Sequence, residues 1–68
     1  MMRADKAKVQ WNPDKKKWHV VIEVGAEVIK RWADRPKDAA EEALRTAAVE
    51  TAKDEGYDLE AANVLVER

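Results

Sequence analysis

The side chains that could carry out acid–base or nucleophilic chemistry are few in this chain. His19 is the single histidine, and Glu23 is the one carboxylate on the same side of the strand predicted around it. Residues four positions apart on a strand are separated by roughly 13 Å, which is too far for a shared proton. The chain has no Cys and no Ser, and Thr46 and Thr51 fall inside a predicted helix. We therefore expect no catalytic residues and no enzymatic activity.

Apart from His19, the carboxylates are the side chains that could bind a metal ion. Six of them fall on one predicted helix: Asp38, Glu41, Glu42, Glu50, Asp54 and Glu55. Glu50 and Asp54 are one turn apart and could in principle share a hard cation, but metal sites collect ligands from several elements or from a dedicated loop. The chain also contains no Gly-rich phosphate loop. We expect a solvated acidic helix face, with no metal and no cofactor.

Basic residues offer a binding surface instead of a reactive site. Residues 1–37 carry a net charge of +5 and residues 38–68 a net charge of −6, which sum to the formal −1 of the whole chain. On the strands predicted below, the side chains that could contact nucleic-acid phosphates are Lys8, Lys17, His19, Lys30 and Arg31. The same lysines could simply keep an open sheet soluble and discourage pairing at its edges. Both interpretations remain open.

Alternating apolar and polar residues predict two strands, over residues 6–11 and 18–24. Between them, Asn12-Pro13-Asp14-Lys15 has the residue order of a type I turn. A four-residue loop over residues 13–16 brings every apolar side chain of this hairpin to one face. The register then pairs Trp11 with Trp18, Val9 with Val20, and Ala7 with Ile22.

Gly25-Ala26 predicts a second hairpin turn, followed by a third strand over residues 27–33. A two-residue turn places Ile29 and Ala33 on the same face as Trp18 and leaves Trp32 outside, beside His19. A longer connection or a bulge would instead bury Val28 and Trp32. Large side chains are scarce in this chain, so we expect Trp32 to be buried.

The second half of the chain predicts one long helix. It begins at Asp34-Arg35-Pro36, or else at a second capping sequence of Asp38 and Glu41, and it runs to Glu55 with Gly56 as its stop. Small residues dominate its expected inner face, which consists of Ala40, Ala43, Leu44, Ala47, Ala48, Thr51 and Ala52. We expect Trp11, Trp18 and Trp32 to fill the space that these small side chains leave.

The C-terminal residues are ambiguous between strand and helix. Residues 63–67 have strand composition in their Val-Leu-Val run, whereas Leu59, Ala62 and Val66 are also spaced for one helix face. We favour a short strand. Residues 1–68 then form one small α+β domain of β-β-β-α-β order, with a three-stranded antiparallel sheet, one long helix packed on one face, and a short C-terminal strand at a sheet edge.

No apolar run approaches the roughly 18 residues of a membrane span, and no apolar segment of a signal peptide opens the chain. We therefore expect a cytoplasmic protein without membrane partners. The sequence identifies no physiological partner, and an open sheet edge would allow a homo-oligomer.

Short motifs connect the chain to a known family. They are Trp18-His19-Val20, Gly25-Ala26, Trp32, and the run Pro36-Lys37-Asp38-Ala39-Ala40-Glu41-Glu42-Ala43. These motifs resemble the short prokaryotic proteins of the domain-of-unknown-function family twenty-one eighty-eight, over roughly residues 9–67. The resemblance implies the same succession of strands, helix and final short strand. That family has no assigned function, and the connection over residues 57–62 is longer here.

The strand-strand-strand-helix order supports a second resemblance, together with Lys17-Trp18 and Glu41-Glu42-Ala43. It is similar to the ethylene-response-factor DNA-binding domain and to the arm-binding domain of phage-type integrases. Those domains read DNA with the open sheet face, which implies a role for Lys8, Lys17, His19 and Lys30. Their Arg-rich strands are missing here.

The absence of Cys and the 40% of charged residues also fit an engineered sequence, although the irregular C-terminal connection and the paired Met residues do not.

Two hypotheses follow from the residues. The first is a non-enzymatic interaction or structural module, which could self-associate through an open sheet edge. The alternative is nucleic-acid binding through the basic open face of the sheet. The exposure of Trp32 separates them, because a buried Trp32 completes the core and an exposed Trp32 beside His19 marks a binding face.

Overall fold

Strands and one helix account for most of the chain in the computed structural model, which describes residues 2–68. The elements are β1 (Met2–Arg3), β2 (Lys6–Asn12), β3 (Lys17–Val24), β4 (Glu27–Ala33), α1 (Glu41–Asp54), β5 (Tyr57–Asp58) and β6 (Val64–Glu67). One sheet has the strand order β4-β3-β2-β6, and β1 forms a two-residue parallel pair with β5. The predicted α+β class is confirmed, and β1 and β5 are additions to the predicted element order.

The β2–β3 hairpin has the predicted register. Trp11 lies opposite Trp18, Val9 opposite Val20, and Ala7 opposite Ile22. Asn12 closes the loop, because its side-chain Oδ1 accepts hydrogen bonds from the backbone N–H groups of Asp14 and Lys15, both at 3.0 Å. Lys16 completes the loop with a left-handed φ of 55°. Side-chain alternation and turn chemistry thus specify the same pairing.

The β3–β4 hairpin corrects the expectation for Trp32. Gly25 has a φ of +58° at the first central position of a two-residue turn, and Val24 pairs directly with Glu27. Without a bulge, Ile29 and Ala33 lie on the same face as Trp18, while Trp32 lies on the other face and is 44% exposed. The prediction that Trp32 is buried is wrong, because the glycine turn sets the register and β4 contains no extra residue that could reverse it.

C-terminal strand β6 confirms the favoured interpretation of the Val-Leu-Val run. It lies at the edge of the sheet and pairs with β2 in parallel, with Val64 beside Ala7 and Val66 beside Val9. Val64 is buried and Leu65 is exposed, as alternation on a half-covered strand requires. A single 3-10 turn over Ala61–Asn63 precedes it, so the helical alternative for these residues is limited to that turn.

The helix begins later than both predicted starts. Its first residue is Glu41, and Ala40 occupies the N-cap position with no side-chain hydrogen bond. The preceding carbonyl groups have tertiary partners: the indole N–H of Trp18 donates to Pro36 at 3.0 Å, and the guanidinium of Arg68 donates to Lys37 and Ala39. These contacts hold residues 36–39 outside the helix.

The end of the helix agrees with the predicted stop. The last helical residue is Asp54, and Gly56 has a φ of +90°, in the left-handed region that glycine adopts without strain. Leu44, Ala47, Ala48 and Ala52 are buried against the sheet, and Thr51 is half-buried. Ala40 and Ala43 are exposed, which corrects two members of the predicted inner face.

Two tryptophans, rather than the three expected, supply bulk to the core. Trp18 is fully buried, and Trp11 packs edge-on against it with ring centroids 5.3 Å apart. The buried apolar side chains are Ala4, Ala7, Val9, Trp18, Val20, Ile22, Ala33, Leu44, Ala47, Ala48, Ala52, Leu59 and Val64. The small side chains of α1 share one buried cluster with Trp18, which is the largest of the fully buried side chains.

Trp18→Ala should destabilise the fold by about 3–5 kcal/mol, since it empties the largest buried site and removes the indole donor of the Pro36 carbonyl, which keeps only the Ala39 N–H. Trp32→Ala is the matched control, and we expect it to cost at most about half as much because its indole is already partly in water. Urea denaturation followed by circular dichroism measures both. A Trp18→Ala protein that unfolds cooperatively with the urea midpoint of the parent would contradict this core.

Candidate nucleic-acid interface

The face of the four-stranded sheet opposite to α1 is called the open face here. The strand registers place these side chains on it: Lys6, Lys8, Gln10 and Asn12 from β2, Lys17, His19, Val21 and Glu23 from β3, Val28, Lys30 and Trp32 from β4, and Leu65 and Glu67 from β6. Basic and apolar groups predominate among them. Three of the four large apolar side chains that are exposed between residues 2 and 68 lie here: Val28, Trp32 and Leu65.

Four of the five residues named from the sequence share this face. Lys8, Lys17, His19 and Lys30 all lie on it. Arg31 does not, because its position in β4 is on the same side as α1, where its Nη2 contacts Glu55 Oε1 at 2.6 Å. The ion pair joins the edge of the sheet to the C-terminal end of the helix. Arg31 is therefore a residue of the helix side and not of the candidate interface.

Trp32 and His19 form an aromatic stack at the centre of one half of the open face. Their ring centroids are 4.6 Å apart and their planes are inclined by 31°. The two residues are directly opposite each other on β4 and β3. A two-residue turn makes Val24 and Glu27 a hydrogen-bonded pair, so alternation makes His19 and Trp32 a non-hydrogen-bonded pair, the type whose side chains approach most closely. The turn chemistry thus produces the stack.

Three lysines lie near this stack. Lys15, from the β2–β3 loop, has its Nζ 5.5 Å from the centroid of the Trp32 ring. Lys30 is two residues from Trp32 on the same strand, a spacing that separates their Cα atoms by about 7 Å. Lys17 is at the diagonal position on β3, where Cα atoms are about 7–8 Å apart. Trp32 lies on the edge strand β4, and 44% of its surface is exposed to solvent.

The charges of the open face are unevenly neutralised. Lys6 Nζ lies 3.8 Å from Glu23 Oε2, and Lys8 Nζ lies 3.4 Å from Glu67 Oε1. Within residues 2–68, no carboxylate oxygen comes within 4.0 Å of Lys15, Lys17 or Lys30. The positive charge that is available to a ligand is therefore concentrated around Trp32 and not spread over the whole sheet.

Leu65 and Glu67 are open-face residues that the sequence interpretation missed. They reach this face because β6 pairs in parallel with β2, which places Leu65 beside Lys8 and Glu67 beside Gln10. The alternation of Val64, Leu65 and Val66 is the signal that could have found them, once the pairing partner of β6 is known.

The rest of the described surface contains little that suggests another site. Over residues 2–68, no cluster of three or more His, Cys, Asp or Glu side chains could hold a metal ion. Two shallow depressions lie away from the open face, one along α1 at Ala43 and Ala47, and one at the β3–β4 turn between Met2 and Tyr57. The helix of the described chain is too short and too polar to span a membrane.

Comparisons with protein-family models, with curated proteins and with solved structures find no match for this chain. The two resemblances drawn from short motifs therefore stay predictions. The assignment of a function rests on the open face itself.

The stack can be tested directly by nuclear magnetic resonance. The ring current of Trp32 should shift the ring protons of His19 upfield, and Trp32→Ala should move them back towards the values of a solvated histidine. Val28→Ala, which removes another exposed apolar side chain from the same face of β4, should leave them unchanged. Identical His19 shifts in the parent and in Trp32→Ala would show that the two rings are not stacked.

Proposed function

We propose that this protein is a non-enzymatic binding module whose open face binds nucleic acid. One observation carries the proposal: Trp32 is 44% exposed, is stacked on His19, and is surrounded by Lys15, Lys17 and Lys30, which have no carboxylate partner in the described chain. Exposed aromatic rings bind the faces of bases, and unpaired lysines bind phosphates. The combination on one surface matches both chemical parts of a nucleic-acid strand.

The contact between Lys15 and Trp32 supports a place for a base on the indole, with Lys15 Nζ 5.5 Å from the ring centroid. A cation over an exposed aromatic ring contributes about 0.5–1 kcal/mol, whereas a base stacked on such a ring contributes about 1–3 kcal/mol. A base can therefore displace the ammonium group of Lys15 from the indole. Lys15 lies in an exposed loop, so its side chain can turn to a phosphate of the same ligand.

Self-association through a sheet edge is the competing hypothesis, and the edges of this sheet support it less well. β4 presents Lys30 and Arg31 along its length, and Arg31 Nη1 donates to the Lys30 carbonyl at 2.7 Å. Cationic side chains on an edge strand repel a second copy of the same edge. β6, the other edge, is only four residues long. A homo-oligomer stays a prediction of the sequence.

We further propose a cytoplasmic location.

The net charge of the whole chain does not argue against nucleic-acid binding. The formal charge of −1 includes the acidic helix and the C-terminal residues. The charge that a ligand meets is that of the open face.

Fluorescence anisotropy with a labelled oligonucleotide tests the proposal at about 50 and 200 mM salt. Each phosphate contact on a single strand contributes about −0.7 to the slope of log K against log salt. Three lysine contacts therefore predict a slope of about −2 and a roughly 20-fold loss of affinity between the two salt concentrations. An absence of binding at the lower salt concentration would refute nucleic-acid binding.

A pair of charge variants locates the contact. Lys17→Gln with Lys30→Gln should reduce the salt slope by about 1.4, since two phosphate contacts are lost. Lys37→Gln with Lys53→Gln removes the same charge from the loop before α1 and from its last turn, and should leave the slope unchanged. If both double variants weaken binding equally, the lysines around Trp32 are not the contact.

A further inference from the structure

We infer that the open face selects single-stranded nucleic acid over duplex. The inference rests on the proposed function and specifies its ligand class. Single-stranded RNA and single-stranded DNA both supply the groups that this face would recognise, an unpaired base with a flanking phosphate.

The width of the sheet argues against a duplex groove. Neighbouring strands are about 4.8 Å apart, so the backbones of β4 and β6 are separated by roughly 14 Å before any side chain is added. The major groove of B-form DNA is about 12 Å wide and admits a helix or a two-stranded ribbon. A sheet of four strands does not enter it. The fourth strand, β6, also brings Glu67 against Lys8, so this part of the face offers no net positive charge to the phosphates at the rim of a groove.

The position of Trp32 argues for an unpaired base. In a duplex both faces of every internal base are covered by its neighbours, whereas a single strand can place one base against a ring. Trp32 lies on the edge strand β4, so a strand can approach its indole from the side without crossing the rest of the sheet. Lys17 and Lys30 are the nearest open-face cations to it on β3 and β4, which fits phosphates next to the stacked base.

His19 prepares the ring for this contact. Its imidazole is stacked on the indole at 4.6 Å, and His19 is half-buried in the sheet. A ring held by its neighbour before binding loses less side-chain entropy when the ligand arrives than a free ring does. The stack therefore presents an ordered platform, and His19 is a positioning residue for Trp32.

The same sequence in single-stranded and duplex form tests the selectivity. A labelled oligonucleotide of about twelve nucleotides without self-complementarity is titrated alone and then annealed to its complement, at about 50 mM salt, as DNA and as RNA. We expect the single strand of either sugar to bind at least roughly ten times more tightly than its duplex. Equal affinities would overturn the selectivity and leave the proposed function standing. If neither form binds, both proposals fail.

Variants at Trp32 show whether stacking is the cause. Trp32→Ala should weaken the single strand roughly tenfold and the duplex hardly at all, and Trp32→Phe should retain most of the affinity. Met2→Ala is the control, because it removes an exposed apolar side chain away from the open face, and it should bind as the parent does. Urea denaturation establishes that each variant is folded. A Trp32→Ala protein that binds single strands like the parent, or that loses affinity for both forms equally, would overturn the inference.

Discussion

The two-residue turn at Gly25-Ala26 determines how the two faces of this sheet are composed. Its positive φ at Gly25 pairs Val24 with Glu27, and every later residue of β4 takes its side from that pair. Ile29 and Ala33 therefore join the core, Arg31 reaches Glu55 on the helix side, and Trp32 meets His19 on the open face. A register shifted by one residue would reverse all of these positions. The candidate interface is thus a consequence of a glycine that is remote from it.

Trp18 is the second point on which the structure depends, because it connects the sheet to the segment before the helix. Its indole is fully buried and donates to the Pro36 carbonyl, while the guanidinium of Arg68 lies 5.7 Å from the ring. Arg68 in turn donates to Lys37 and Ala39. One buried ring and one C-terminal side chain thus hold residues 36–39. The helix begins only where these contacts end.

Local patterns predicted those parts of the fold that local chemistry decides. Alternation and the Asn12 turn specify the β2–β3 register, and Gly56 ends the helix, because both depend on neighbouring residues alone. Hydrophobicity alone predicts a buried Trp32, but the Gly25 turn places it on the open face, and the space below the sheet is filled by Trp18, Leu44 and the alanines of α1. The helix start was misplaced because tertiary donors compete with the capping sequences. Leu65 and Glu67 depend on a parallel pairing between distant segments, which no local pattern encodes.

The near-zero net charge of the chain conceals the charge distribution on which the proposed binding depends. On the open face, Glu23 and Glu67 neutralise Lys6 and Lys8, and these pairs are too exposed to contribute much to stability. Their effect is to confine the available positive charge to the half of the face that also holds the aromatic stack. A uniformly basic sheet would attract any polyanion through phosphate contacts alone. A sheet whose free lysines surround one exposed indole instead couples charge to stacking, and stacking is the part of the interaction that distinguishes an unpaired strand from a duplex.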